Sequence, residues 1–244
     1  MTRRRARTLE SQAVPPNASR PVLALVQQPP DLGEFGSRVL AVGEKYGYDA
    51  QHAAQVASLA RQLFAELGEV HGLPPQWLGP LEHAALLHDI GYFINPKGHH
   101  RHSRYLIRRD VLLAEYPEPW REFVALLAAN HRKKPLRAPK AWEPRRRNAS
   151  VVLAAILRLA DGLDYGHDSL ARLERVRVGA SSVRLEVAGI RLGGLGPVLR
   201  RKARLFTQVY GRTVTFSSMP ESAAPGATRP SRRRGGAPAP DRER

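Results

Sequence analysis

The sequence predicts a mainly α protein: a helical bundle over residues 34–168 carrying a small C-terminal α/β appendage over 169–217. Apolar residues recur at helical spacing through most of the first span, the mark of helices with one buried face. Beyond His167 charged and apolar residues alternate instead, as in half-buried strands. The two ends, 1–33 and 218–244, are rich in proline and arginine and show neither period. They are expected to be disordered basic tails.

Taken in order, a first helix is expected over Glu34–Tyr46 and a second over Asp49–Val70, with Asp49 as its N-cap. A third runs from Pro75 to Ile90, where proline suits the first turn and Gly91 the end. A fourth starts near Ser103, and a fifth spans Glu118–Asn130. A basic, proline-containing loop, Arg132–Arg147, leads to a sixth helix, Ala149–Leu163, so apolar that it should be central. In the appendage, Arg175–Val178 and Val183–Val187 read as strands. Gly193, Gly194 and Gly196 read as a chain break, Val198–Tyr210 as a helix and Arg212–Phe216 as a last strand.

Composition excludes several chemistries. The 244 residues contain no cysteine, which removes disulfides, thiolate zinc sites and a cysteine nucleophile. Neither a Gly-x-Ser-x-Gly elbow nor a Walker-type phosphate loop is present. No apolar run approaches the roughly 18 residues of a membrane span. The N-terminal arginines have only the short Val22–Val26 behind them, so a cytoplasmic protein is expected. The formal charge is +17, and residues 36–217 alone hold 28 basic against 16 acidic side chains. Such a body suits an anionic partner, a phosphate-rich small molecule or polyanion. Nucleic acid and a second copy of the chain are further candidates.

Of the nine histidines, two stand in a pattern with aspartates. His52 shares the stripe of Val56, Leu59 and Leu63 on the second helix. His88 and Asp89 close the third inside LLHDIG, and Asp161 follows Leu153 and Leu157 on the sixth inside LRLADGLD. Ionised carboxylates on core-facing positions are costly unless paired or bound to a cation. Three helices thus turn a His or Asp toward one centre, which a divalent metal explains. Imidazole and carboxylate donors suit Mn, Fe, Zn, Ni, Co and, less well, Mg. His71 and His83 are expected to be hydrogen-bonded core histidines.

The order H…HD…D resembles the HD superfamily of metal-dependent phosphohydrolases. More closely, HAAQVASLARQLFAEL, AALLHDIGYFI, HHRHSRYLI, NHRKKP and ILRLADGLD resemble the C-terminal HD-type domain of the Ppx/GppA exopolyphosphatases and guanosine pentaphosphate phosphohydrolases, over roughly residues 35–217. The resemblance implies an HD-domain bundle with His52, His88, Asp89 and Asp161 as metal ligands and His88 and Asp89 at the catalytic centre. Two-metal members add histidines between the HD pair and the last Asp, which implies one or two ions here. His102 and His131 stand at such positions; His99 and His100 compete with His102 or belong to a polar loop. Asn130 stands where such members often carry a second histidine. Polyphosphate hydrolysis in that family is attributed to actin-like N-terminal domains, for which this chain has no room.

Arg101, Arg104, Arg108, Arg132, Lys133 and Lys134 flank the candidate ligands and are expected to bind substrate phosphates, since guanidinium groups fork onto phosphate oxygens. The expected function is a metal-dependent phosphohydrolase acting on a phosphorylated nucleotide, alarmone or polyphosphate-like substrate. The alternative is a non-catalytic polyphosphate- or RNA-binding or regulatory module.

Overall fold

Eight α-helices and three strands make up residues 29 and 33–219, the part described by the computed structural model. The rest of both expected tails lies outside the described residues. A 3-10 turn, Gly33–Phe35, leads into α1 (Gly36–Lys45). The second predicted helix divides into α2 (Ala50–Glu66) and the short α3 (Gly68–His71). Asp49 caps α2 as expected, its carboxylate accepting the His52 backbone N–H at 3.1 Å. The chain continues through α4 (Leu78–Leu87), α5 (His99–Arg109), α6 (Trp120–Ala129) and α7 (Pro144–Leu163). Strands β1 (Arg172–Val178) and β2 (Ser182–Ala188), helix α8 (Leu192–Tyr210) and β3 (Thr213–Ser218) follow.

Two expectations need correction. Helix α5 begins at His99, a turn before Ser103, because Gly98 at φ 88° bends the chain left-handedly just ahead of it. Gly193, Gly194 and Gly196 do not break the chain but lie in α8. Leu192, Leu195 and Leu199 recur there at helical spacing and pack on the core. That burial outweighs a helix cost of about 1 kcal/mol per glycine.

Helix α7 is central, packing against α2, α4, α6 and α8. Its Leu153, Ile156, Leu157 and Leu159 are fully buried. The sheet has the order β1-β2-β3, antiparallel between β1 and β2 and parallel between β2 and β3, with α8 as the crossover. Val183, Leu185 and Val187 of β2 and Leu199 and Phe206 of α8 join the same apolar core as the bundle. The appendage is therefore held against α7, which decides what α8 can reach. Among the described residues no helix is long and apolar enough to cross a membrane.

One buried polar cluster ties α1 to the turn after α5. Asp110 accepts from Lys45 Nζ at 2.7 Å, Tyr46 Oη at 2.5 Å and the Leu112 backbone N–H at 2.8 Å. Burial pushes its carboxyl up, but these donors outweigh burial and hold it below the ordinary carboxylate value. A carboxyl depressed on folding stabilises above its unfolded pKa of about 3.9, and that contribution is lost as pH falls further. The Asp110→Asn variant should therefore melt below wild type at pH 7, and the gap should narrow below about pH 4. A gap constant across a pH series of thermal melts would refute this.

Candidate metal centre

Four histidines direct Nε2 toward Asp89. The Nδ1–H of His88 donates to the Ala85 carbonyl and that of His131 to Ala128, both at 2.7 Å. His99 donates to Pro96 at 3.1 Å, and His52 to the Asp164 carboxylate at 2.7 Å. A carbonyl can only accept, so His88, His99 and His131 carry a proton on Nδ1, and in the neutral imidazole this leaves the Nε2 lone pair toward the centre. Burial lowers the pKa of His99 and takes His131 well below its ordinary value, leaving both neutral at pH 7. This is how proteins orient histidines toward a metal.

Asp89 lies between the two pairs. Its Oδ2 is 3.4 Å from His88 Nε2 and 3.9 Å from His52 Nε2. Its Oδ1 is 3.3 Å from His99 Nε2 and 3.6 Å from His131 Nε2. The last two nitrogens are 3.2 Å apart, and His99 Nε2 also lies 3.2 Å from the Arg132 guanidinium. Three donor atoms at this spacing match the edges of a coordination shell with bonds of about 2.0–2.2 Å. His52, His88 and Asp161 also offer donor atoms within 4.8 Å of one another. Buried His52 Nε2, His88 Nε2 and Asp89 Oδ1 have no hydrogen-bond partner among the described residues. The donor set therefore fits one or two divalent ions.

Local sequence explains the convergence. His52 follows the Asp49 cap into the first turn of α2, on the stripe of Val56, Leu59 and Leu63. His88 and Asp89 directly follow α4, and a 3-10 turn, Ile90–Phe93, then carries the chain under α5. Ser103 straps the two together: it accepts the Gly91 N–H at 2.9 Å and donates to the His88 carbonyl at 2.6 Å. On α5 it is His99, not His102, that the structure brings to Asp89. His102 turns back along α5, its Nε2 near Gly98. His100 is buried beside His99 and held neutral, pushed down to about 4 chiefly by burial. Asn130 closes the following loop on Leu136 in both directions, rather than facing the centre.

Several contributing residues carried no signal in the sequence. Asp164, fully buried, orients His52 and also accepts the Ser169 N–H. His167, in the left-handed region at φ 54°, stacks on His52 at 3.6 Å. Arg158 donates to the carbonyls of Asn130 and Lys133, both at 2.6 Å, fixing the turn that bears His131. These interactions join residues far apart in sequence. His83 and His71 are engaged elsewhere, with Tyr116 Oη and the Phe64 carbonyl.

The centre opens into a cleft of about 860 Å³. Arg132, Lys133 and Lys134 line it, together with Arg201, Lys202 and Arg204 of α8. Arg101, Arg104 and Arg108 do not line it. They point off the opposite face of α5 from His99, and Arg104 and Arg108 both pair with Glu122 of α6. Arg104 and Arg108 thereby fasten α5 to α6.

Residues 37–188 match the family model described as Ppx/GppA phosphatase, domain III, and include every centre residue named above. The chain belongs to this family. Among its relatives is a guanosine-5'-triphosphate,3'-diphosphate pyrophosphatase of Vibrio vulnificus, 32% identical over 102 residues, covering 37% of this chain and 20% of that protein. Proteins of the same name from Vibrio parahaemolyticus and Pseudoalteromonas atlantica are 32% and 26% identical over 123 and 119 residues, covering 50% and 48% of this chain. The domain III chain thus matches only 20 to 24% of the length of these relatives. Helix α8 and β3 lie beyond the segment matched to domain III.

Proposed function

We propose that this chain is an HD-type, metal-dependent phosphohydrolase acting on a phosphorylated nucleotide, alarmone or polyphosphate-like substrate. The observation that carries the reading is the set of three potential ligand atoms, Asp89 Oδ1, His99 Nε2 and His131 Nε2, spaced at 3.2 to 3.6 Å. His52, His88, Asp89 and Asp161 would hold one ion, and Asp89, His99 and His131 a second. A divalent cation in such a set supplies Lewis acidity for attack of water on a phosphoryl group. The chain's own contribution is orientation: Asp164 and the backbone carbonyls fix the imidazoles. Arg132, Lys133 and Lys134 supply cationic donors for phosphate oxygens. The relatives' substrate, a guanosine carrying phosphates at both ends, supports a polyphosphorylated ligand of this kind.

The test is metal content together with turnover. Elemental analysis after incubation with Mn²⁺ or Zn²⁺ should find at least one ion per chain. Bis-p-nitrophenyl phosphate, p-nitrophenyl phosphate, guanosine nucleotides or polyphosphate should be hydrolysed, and EDTA should stop the reaction. Protein that takes up no metal refutes the reading. Protein that binds metal and polyphosphate without turnover, and still binds polyphosphate as His88→Ala, is the binding module instead.

A further inference from the structure

The appendage sends one charge into the centre. Lys202 of α8 bonds directly to Asp161 Oδ2, with its side chain only 11% exposed. Its stem crosses α7 at Gly162, where a Cβ would come within 3.1 Å of Lys202 Cβ and Cγ. An ammonium has three N–H donors. Asp161 takes one, and the His131 carbonyl lies in reach of another at 3.5 Å. The third is available to the cleft, which Lys202 lines beside Asp89, His99 and His131.

We infer that Lys202 is a substrate-phosphate ligand contributed by the appendage, bridging Asp161 to a phosphoryl oxygen. The inference rests on the proposed phosphohydrolase reading and adds a residue that lies outside the matched segment 37–188. Charge and position favour this role over simple neutralisation of Asp161. Lys202 sits on the same helix as Arg201 and Arg204, which line the cleft with it, and Arg132, Lys133 and Lys134 line the same cleft. An extended phosphate chain lying over Asp89 would meet both groups of cations. Lys202 is the member of α8 that also touches a candidate metal ligand, so it fixes the phosphate relative to the ions.

The test separates phosphate binding from metal binding. Wild type, Lys202→Met and Lys202→Arg are titrated with Mn²⁺ alone. They are then titrated with methylenediphosphonate, a non-hydrolysable diphosphate, in excess Mn²⁺ and separately in EDTA. The Met variant keeps the stem over Gly162 and removes the charge. It should bind Mn²⁺ as well as wild type or better, because a competing cation is gone. Its diphosphonate affinity should fall about tenfold in both conditions, the effect of losing one charge-assisted bond. The Arg variant should recover most of that loss. Unchanged diphosphonate affinity with tighter Mn²⁺ binding overturns the inference and makes Lys202 a counter-ion of Asp161 only. Should Lys202→Met fail to fold, Lys202→Gln retains a donor to Asp161 without the charge, and wild-type diphosphonate affinity in that variant overturns it equally. Wild-type protein that binds Mn²⁺ and diphosphonate but turns nothing over defeats the hydrolase reading and leaves the Lys202 assignment intact.

Discussion

Replacing Asp89 by alanine is expected to abolish metal binding and lower turnover about 10³-fold or more, since a catalytic ion supplies several kcal/mol and each 1.4 kcal/mol is tenfold in rate. The two oxygens of Asp89 face separate histidine pairs, His52 with His88 and His99 with His131. Both candidate ions depend on it. The fold should survive the change. Asp89 Oδ1 has no hydrogen-bond partner among the described residues, and removing a poorly satisfied carboxylate from a buried place is neutral or stabilising without its cation. The metal-free variant should thus melt at or above metal-free wild type, while added Mn²⁺ should raise the melting point of wild type alone. Melts with and without Mn²⁺, beside elemental analysis, check both halves. An Asp89→Ala protein destabilised by several kcal/mol without metal would make Asp89 a structural hub.

Half of this centre is legible in the sequence, and the reason is local geometry. His52 announces itself by sharing a helical stripe with Val56, Leu59 and Leu63, and Asp161 by following Leu153 and Leu157. Periodicity alone places both in the core, where the structure finds them 1% and 6% exposed. The choice of His99 over His102 cannot be read this way. It depends on where α5 begins, which is set by the left-handed Gly98 and by how closely the 3-10 turn after Asp89 runs beneath the helix. Asp164, Arg158 and Lys202 act through partners 25 to 112 positions away, and no spacing rule reaches so far. Arg104 and Arg108 illustrate the converse. Their nearness in sequence to the histidines suggested a role in binding phosphate, but positions five and nine residues from His99 stand about 140° and 180° around the helix from it, and both pair with Glu122 on α6. The mainly α bundle and its α/β appendage were readable throughout, except where leucine burial carries α8 across its glycines.

The Gly91→Ala variant is expected to lose the second metal position while retaining the first. Gly91 ends the LLHDIG segment, and its φ is not left-handed, so conformational freedom is not what the position requires. What it requires is empty space. A Cβ there would stand 2.1 Å from the His99 carbonyl and 2.4 Å from the Ser103 nitrogen, both backbone atoms at the start of α5. Backbone cannot rotate away as a side chain can, so the first turns of α5 must shift off the 3-10 turn. That shift breaks the Ser103 strap to the Gly91 N–H and the His88 carbonyl. It also carries His99 away from Asp89 and His131. His52 and Asp161 lie on α2 and α7, which do not ride on this contact, so the first donor group stays assembled with His88. Forced overpacking of this kind costs about 1–3 kcal/mol or more in stability, which for a chain of this size is roughly 2–4 °C of melting temperature per kcal/mol. Metal stoichiometry is the sharper readout. Saturating Mn²⁺ should give one fewer ion per chain than wild type, with turnover down about 10²-fold, as expected when a metal site's supporting geometry fails. Gly91→Ala protein with wild-type stoichiometry and activity would show that α5 does not need this contact to deliver His99.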